Sequence, residues 1–516
     1  MDGIQVVIKG EGTFSLRRGE NVLSVLSEEK QAAMNGCAGN GSCGKCAVRF
    51  IMGAPLPTQT DRKFFSPSAL REGYRLACMA KPQQNCIVEF VFEENEIEIV
   101  DHSTLQPESL EHQAVAEENR EASEWDSIML AQLGGQMSSR VMVGERPSDF
   151  GDTFVIVDLG TTTIVMQLIE IGTGKVIDTY KSLNPQRRFG ADVISRMTRA
   201  LKGDDILLSE CVQYCLDGGI NKWLYQGFSP ELIVVAGNTC MTYLYNGIDV
   251  TELSKAPFAA SHLEPIETDI AHIRTIFLPG MSAFVGGDIT AGLMAVKEKE
   301  AALSKKGKKD GRTVLFVDLG TNGEMALLKG AQIFATATSA GPAFEGGPTA
   351  NTPGTDMIKI IAAMLQKELI DETGLVVTED GFHSGVVVEG VLIRQEDVRS
   401  IQVAKAAVYA GISILCKKAG VSFSDIDKVY LAGGFGYFLD VESACRIGLL
   451  PAELKDKTEA VGNTSLAGAM AYGLGYRKNP FSDPAADILK SVTCLNLAEV
   501  YEFEKLYIDS MNLVEA

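Results

Sequence analysis

A chain of 516 residues is too long for one ordinary hydrophobic core, so roughly two to four domains are expected. With 22% charged and 46% hydrophobic residues, it falls among soluble globular rather than disordered proteins. Its 47 basic and 67 acidic residues leave a formal charge of −20, which repels phosphate backbones and argues against a nucleic-acid partner, and no uninterrupted apolar run of about 18 residues predicts a membrane span.

The chain opens MDGIQVVIKGEGTFSL, which alternates like a strand and lacks the charged and apolar regions of a secretory leader. Eleven cysteines, an odd number thinly spread, do not read as a disulfide framework. A cytoplasmic, reducing setting is expected, in which clustered cysteines point to metal or catalysis. Two strands (IQVVIKG, GTFSLRRG) and a helix over NVLSVLSEE lead into the loop NGCAGNGSCGKCAVRF. The loop carries Cys37, Cys43 and Cys46 as C-x5-C-x2-C, and Cys78 follows in RLACMA. Four thiolates, three in one loop and one distant, can hold a two-iron cluster. Gly36, Gly39, Gly41 and Gly44 suit a loop that wraps a cluster closely. Zinc is the rival, but its four-cysteine sites favour paired short knuckles, and here the fourth cysteine stands alone. Cys86, in the strand-like CIVEFVFEE, reads as a small buried residue.

Residues 1 to about 94 resemble plant-type or adrenodoxin-type [2Fe-2S] ferredoxins in the hairpin, the helix, the cysteine loop and RLACMA before a final strand. The x5 spacing is nearer the adrenodoxin variant. The resemblance implies an α+β, β-grasp domain over 1–94 with Cys37, Cys43, Cys46 and Cys78 as cluster ligands.

From 95 to 149 the chain turns rich in Glu, Ser, Gln and Asn, and reads as a flexible or loosely docked linker. Strand signals resume in FVIVDLGTTTIVMQLIEI, where a buried run ends in Asp158 and Gly160 and is followed by Thr161, Thr162 and Thr163. The pattern returns as VLFVDLGTNGEMALLKG, with Asp318, Gly320, Thr321, Asn322 and Gly323 in the turn. Two β–DLGT–β copies about 160 residues apart indicate a duplicated α/β core over 150–516, with halves at about 150–310 and 311–480 and a C-terminal extension. Backbone N–H groups and hydroxyls of such turns can cradle phosphate, and Asp158 and Asp318 suit Mg2+. KVYLAGGFGYFLD is an apolar strand breaking into Gly433, Gly434 and Gly436, a turn against which a flat group such as adenosine can lie. These three segments together resemble the actin, Hsp70 and sugar-kinase superfamily, with its duplicated RNase H-like halves. That resemblance implies ATP and Mg2+ in a cleft, Asp158 and Asp318 at the metal–phosphate complex, Thr161 to Thr163 and Thr321 on phosphates, and Gly433 and Gly434 at adenosine.

Other segments are less specific. In NPQRRFGADVISRM, Asp192 and Arg196 stand i, i+4 and read as a helix ion pair, the alternative being a lid over the cleft. VVAGNTCMTYL places Gly237, Asn238 and Thr239 at a strand-to-helix turn suited to a ligand. Asp288 in VGGDITAG reads as a helix cap or as a metal or nucleotide contact. Cys211 and Cys215 share one helix face as structural thiols, KKGKKD at 305–310 is a solvated loop, and the five histidines form no ligand set.

The whole chain resembles the reductive activators of corrinoid-dependent enzymes, through NPQ…GADVISR, AGNTCM, VGGDITAG, DLGTNGE, SAGPAFEGG and LAGGFG in order. The resemblance implies ATP-dependent return of Co(II) corrinoid to Co(I) in a methyltransferase system. It also implies a low-potential electron donor, a corrinoid-binding protein as partner, a homodimer, and Ser339 in a loop that approaches cobalt. Family members can carry a longer segment with a small middle domain after the ferredoxin; about 55 residues stand there here, so no separate docking module is expected. Two other readings are an activator of another low-potential enzyme and a non-catalytic module that responds to redox state and nucleotide.

Overall fold

The computed structural model describes residues 4–9, 12–25, 41, 46–65, 67–90, 99–105, 153–190, 192–305, 311–320, 322–339, 343–344, 352–377, 385–480 and 483–513. Cys37, Cys43, Thr321, the lysines of 306–310 and most of the 95–149 segment lie outside these residues. Of the expected NVLSVLSEE helix, one 3-10 turn at Val22–Val25 is described.

Five short strands build the N-terminal domain: β1 (Ile4–Ile8), β2 (Gly12–Leu16), β3 (Ala47–Met52), β4 (Tyr74–Leu76) and β5 (Cys86–Phe90). Their order is β2-β1-β5-β3-β4, with β1 and β5 parallel and the other neighbours antiparallel. The alternation of IQVVI turns Ile4, Val6 and Ile8 onto one face, where they meet Leu16, Val48, Leu76 and Val88.

Two six-stranded sheets follow. The first holds β6 (Thr153–Leu159), β7 (Thr163–Glu170), β8 (Val176–Leu183), β9 (Pro230–Gly237), β10 (Ile266–Ile270) and β11 (Ile273–Phe277), ordered β10-β11-β9-β6-β7-β8. In the second half come β12 (Thr313–Leu319), β13 (Gly323–Lys329), β14 (Gln332–Thr338), a separate ribbon of β15 (Val386–Val388) with β16 (Val391–Ile393), then β17 (Lys428–Ala432), β18 (Thr458–Gly462) and β19 (Val492–Leu495). This second sheet is ordered β18-β17-β12-β13-β14-β19. Each sheet therefore repeats one plan: an antiparallel meander of three strands, then a fourth and fifth added parallel beside the first. Each half adds one further edge strand, β10 in the first and β19 in the second.

The strand alternation decides where the acidic turn residues point. Val155, Val157 and Leu159 face the outer core of the first half, which is closed by the Asp205–Tyr225 helix, while Phe154 and Ile156 face a core shared by both halves. Val314 and Phe316 meet that shared core from the other sheet, while Leu315, Val317 and Leu319 face away, toward the Gln395–Ala419 helix. That helix is apolar and long, and it is mostly buried as the core helix of its half. With a period of two, Asp158 and Asp318 are the next residues on the shared face of each sheet.

Between the sheets run two helices, Gly287–Lys305 and Thr464–Lys478. Their contact is so close that a Cβ on Gly468 would overlap the carbonyl of Ala291. Residues 99–105 of the expected linker are docked rather than loose: Thr104 donates its N–H to the Val461 carbonyl (3.0 Å), Asn463 donates to the His102 carbonyl (2.8 Å), and Leu105 is 1% exposed in the shared core. Hydrogen bonds to the backbone of this segment, which leave no trace in its own side-chain polarity, help to hold it.

Candidate functional site

The first turn is braced from behind. Asn184 donates its side-chain amide to the Gly160 carbonyl (2.7 Å) and its backbone N–H to the Thr162 carbonyl (2.9 Å). Arg196 donates to the Thr161 carbonyl (2.6 Å) and to that of Gly190 (2.9 Å). With three successive carbonyls engaged on one side, the planar peptides turn N–H groups toward the other. Asn238 caps the Thr239–Asn246 helix by accepting from Met241 N–H (2.9 Å), and its amide donates to Thr161 Oγ1 (3.0 Å).

The ion-pair reading of Asp192 and Arg196 is corrected here. Asp192 is the N-cap of the Val193–Arg199 helix, accepting from Ser195 N–H (2.7 Å), and Arg196 is fully buried beneath the first turn. Its segment is a buttress, not a surface pair or a lid.

Four carboxyl groups share the central space. Burial pushes the Asp318 carboxyl up to about 8, with Asp288 and Asp158 adding to the effect. Burial likewise raises Asp158 to about 7, against a hydrogen bond from Asn463 that lowers it, and raises Asp288 to about 6. Glu324 is pushed well above the usual carboxylate range by burial and by Asp288 and Asp318, and the Asn322 side chain hydrogen-bonds to it. Asp288 stands one residue into its helix rather than at the N-cap, and its Oδ1 accepts from Ile289 N–H (2.8 Å).

Glu324 is absent from the residues singled out in sequence. It lies opposite Asp318 in the β12–β13 register, whereas the matching position opposite Asp158 is Val165. Comparing the two DLGT copies thus hides it, although the alternation of GEMALLK places it on the Asp318 face. Asn463 was missed too; its side chain donates to Asp158 Oδ2 (2.7 Å).

The glycine turn after β17 touches this cluster. Gly433 has φ +82°, and a Cβ there would overlap Asp318 Oδ1 and the Leu319 carbonyl, so only glycine fits. Gly436 packs against Leu431, Gly434 has open space beside it, and Gly323 lies against Val408 and Thr338. Phe435 stacks on Phe344 with ring centroids 4.3 Å apart, which joins this turn to the SAGPAFEGG loop. Ser339, at the start of that loop, is exposed after β14. Thr162 and Thr163 are half-buried in the first turn.

Among the described residues, no three His, Cys, Asp or Glu side chains form a metal cage. Magnesium rarely asks for one: it takes one or two carboxylates, and water and phosphate complete its shell. Buried carboxylates of one sign, beside a first turn whose carbonyls are tied back, fit a magnesium–phosphate group by charge. In the N-terminal domain Cys46 and Cys78 are 2% and 4% exposed, and their sulfurs stand 3.1 Å apart. Two buried thiols brought together from the turn before β3 and the turn after β4 fit half of a four-cysteine cluster site. Cys86 is buried in β5 and Cys215 in its helix, with Cys211 half-buried beside it, as structural thiols.

A β-grasp domain with converging cysteines, joined to a duplicated cleft with two DLGT turns, defines a ferredoxin-like domain fused to the actin and sugar-kinase fold. The family comparisons agree with this class. A model described as a 2Fe-2S iron-sulfur cluster binding domain matches residues 6–83, one of the RACo middle region matches 154–300, and one of the C-terminal ASKHA domain of RACo matches 312–352 and 348–516. The chain belongs to the RACo family. The middle-region model falls on the first six-stranded half. The corrinoid activation enzyme RamQ of Eubacterium limosum is 29% identical over 61% of this chain and 63% of its own length. The match thus spans less than two thirds of that relative. A [Co(II) methylated amine-specific corrinoid protein] reductase of Methanosarcina barkeri is 23% identical over 69% of this chain and 76% of its own. In the solved structure of a reductive activator for corrinoid,iron-sulfur protein the same fold recurs, with TM-score 0.57 and 24% identity over 99% of this chain and 98% of that one.

Removing the buttress tests its role. Arg196→Met is expected to cost about 2–4 kcal/mol by stranding buried carbonyls. It should also weaken nucleotide binding more than Arg199→Met, a change at a residue paired with Asp204 near the surface. Thermal melts and nucleotide titrations of the two variants check this.

Proposed function

We propose that this protein is an ATP-dependent reductase of a corrinoid protein, returning Co(II) to the methyl-accepting Co(I) state in a methyltransferase system. One observation carries the reading: a single chain joins a pair of converging buried cysteines in a ferredoxin domain to a cleft of buried, mutually repelling carboxylates built for a cation and phosphates. The corrinoid-directed names of its relatives supply the substrate class.

Cys37, Cys43, Cys46 and Cys78 would hold a [2Fe-2S] cluster, which supplies one-electron chemistry when bound. Asp158 and Asp318 would take Mg2+, with Asp288 beside them. Thr161 to Thr163, Gly160, Gly320 to Gly323 and Asn238 line the phosphates, and Gly433, Gly434 and Gly436 lie toward the adenosine. The residues of the cleft bind and orient the nucleotide and exclude water from it. One electron converts Co(II) to Co(I), and the corrinoid is the substrate rather than a resident group. A one-electron step costs tenfold in equilibrium constant for each ~59 mV uphill, so a nucleotide-driven change of the acceptor's surroundings is what ATP contributes. Ser339, exposed on the loop tied to the glycine turn by Phe344 and Phe435, is the residue assigned to approach cobalt. A low-potential donor, a homodimeric state and a cytoplasmic setting complete the proposal.

The test is anaerobic and optical. Chemically reduced protein mixed with a Co(II) corrinoid protein should give the Co(I) band only with Mg-ATP. Hydrolysis without a Co(I) band across several corrinoid proteins would overturn the substrate assignment.

A further inference from the structure

Asn463 stands at the meeting point of three parts of the molecule. It is the N-cap of the Thr464–Lys478 helix, its Oδ1 accepting from Leu466 N–H at 3.0 Å. Its side-chain amide donates to Asp158 Oδ2 at 2.7 Å and to the Val100 carbonyl at 3.1 Å. Asparagine alone among the good capping residues supplies an acceptor for the helix and two donors at once. Aspartate in its place would set a carboxylate against the Asp158 carboxylate, and serine has no second donor.

Val100 belongs to the segment 99–105, which comes straight after the ferredoxin domain in the chain. That segment holds both halves. Toward the first, Asp101 pairs with Lys181 of β8 at 2.8 Å and the Asp101 carbonyl accepts from Gln167 of β7 at 2.6 Å. Toward the second, His102 meets Tyr437 Oη at 3.0 Å, just beyond the glycine turn, and Ser103 Oγ donates to the Val461 carbonyl at 2.6 Å. A second, independent feature marks the contact as built: Gly462 has φ +77°, and a Cβ on it would overlap the His102 carbonyl. Only glycine lets the segment lie that close.

We propose that Asn463 is a positioning residue of the nucleotide site, holding Asp158 in place for the metal–phosphate group, and that through the same amide it makes nucleotide affinity depend on the docking of residues 99–105. Linkage makes the effect reciprocal: nucleotide binding tightens the docked segment by the factor with which docking favours nucleotide. The root of the ferredoxin domain is thereby read by the cleft. This inference rests on the assignment of the cleft to Mg-nucleotide, and goes beyond it.

The experiment uses full-length protein, with Mg2+ and a non-hydrolysable ATP analogue as the probe. Two readouts are taken, equilibrium affinity and amide hydrogen exchange over residues 99–105, for wild type, Asn463→Ser and Ser103→Ala. Serine retains the cap but, shorter and with a single hydroxyl donor, cannot make both donated bonds. Ser103→Ala disturbs the segment without touching Asp158. In wild type the analogue should slow exchange in the segment. Asn463→Ser should bind the analogue roughly tenfold more weakly, the loss of one charge-assisted hydrogen bond, and lose that protection. Ser103→Ala should weaken binding several-fold. Wild-type affinity in Asn463→Ser would overturn the positioning role. Wild-type affinity in Ser103→Ala, or protection that persists in Asn463→Ser, would overturn the coupling. Failure of the wild type to bind the analogue would instead remove the nucleotide assignment, and this inference with it.

Discussion

Asp318→Asn is expected to lower ATP turnover by roughly 10²–10³-fold while making the nucleotide-free protein more stable. The two effects share a cause. Asp318, Asp158, Asp288 and Glu324 are drawn together on the face shared by the two sheets; burial raises the pKa of each, and repulsion from the neighbouring carboxylates adds to it at Asp318, Asp158 and Glu324. Such an arrangement costs folding free energy and is useful only to a cation. Replacing one carboxylate by its neutral isostere relieves repulsion and keeps the shape. The midpoint of thermal unfolding should rise by roughly 2–4 °C, the shift about 1 kcal/mol produces in a domain of this size. The visible spectrum of the iron–sulfur domain should not change. Retained turnover, or a lower melting temperature without nucleotide, would mean that Asp318 is structural.

Cys78→Ala should separate the two ends of the molecule in the opposite sense. The Cys78 sulfur lies 3.1 Å from that of Cys46 in a buried site, so its loss should abolish the two-iron EPR signal and lower corrinoid reduction by at least roughly 100-fold. Affinity for Mg-nucleotide should stay at the wild-type value. Cys86→Ala is the matched control. That thiol is buried in β5 and pushed up to about 11 by burial, and its removal should cost about 1 kcal/mol while the cluster remains. Loss of the cluster in Cys86→Ala with retention in Cys78→Ala would reverse the ligand assignment.

The doubled DLGT turn was legible because both copies end a continuous apolar run; the face taken by Asp158 and Asp318 was not, since both sides of those strands are apolar and only packing separates the cores. The cysteine loop was legible by spacing. Glu324 escaped because the duplication is not symmetric there: a valine holds the equivalent place in the first half. Arg196 was misread for a different reason. Its spacing from Asp192 suits a surface pair, but the helix begins at Val193 with Asp192 as its cap, and that start turns the arginine inward beneath Thr161. Residues 99–105 and Asn463 were invisible because what holds them is carbonyl and amide geometry between segments some 360 positions apart. Polar composition reads the same in a loose linker and in one whose backbone is paired.

The close crossing of the Gly287–Lys305 and Thr464–Lys478 helices carries a mechanical consequence. At Gly468 the backbones already touch, and any sliding of one helix along the other would drive atoms of one chain segment into the other. Translation is therefore stiff at this point. A change of angle between the helices moves atoms near Gly468 least and atoms far from it most. Any change of angle between the two halves would pivot at this crossing and would strain the 99–105 segment, whose bonds reach β7 and β8 on one side and Val461 and Tyr437 on the other.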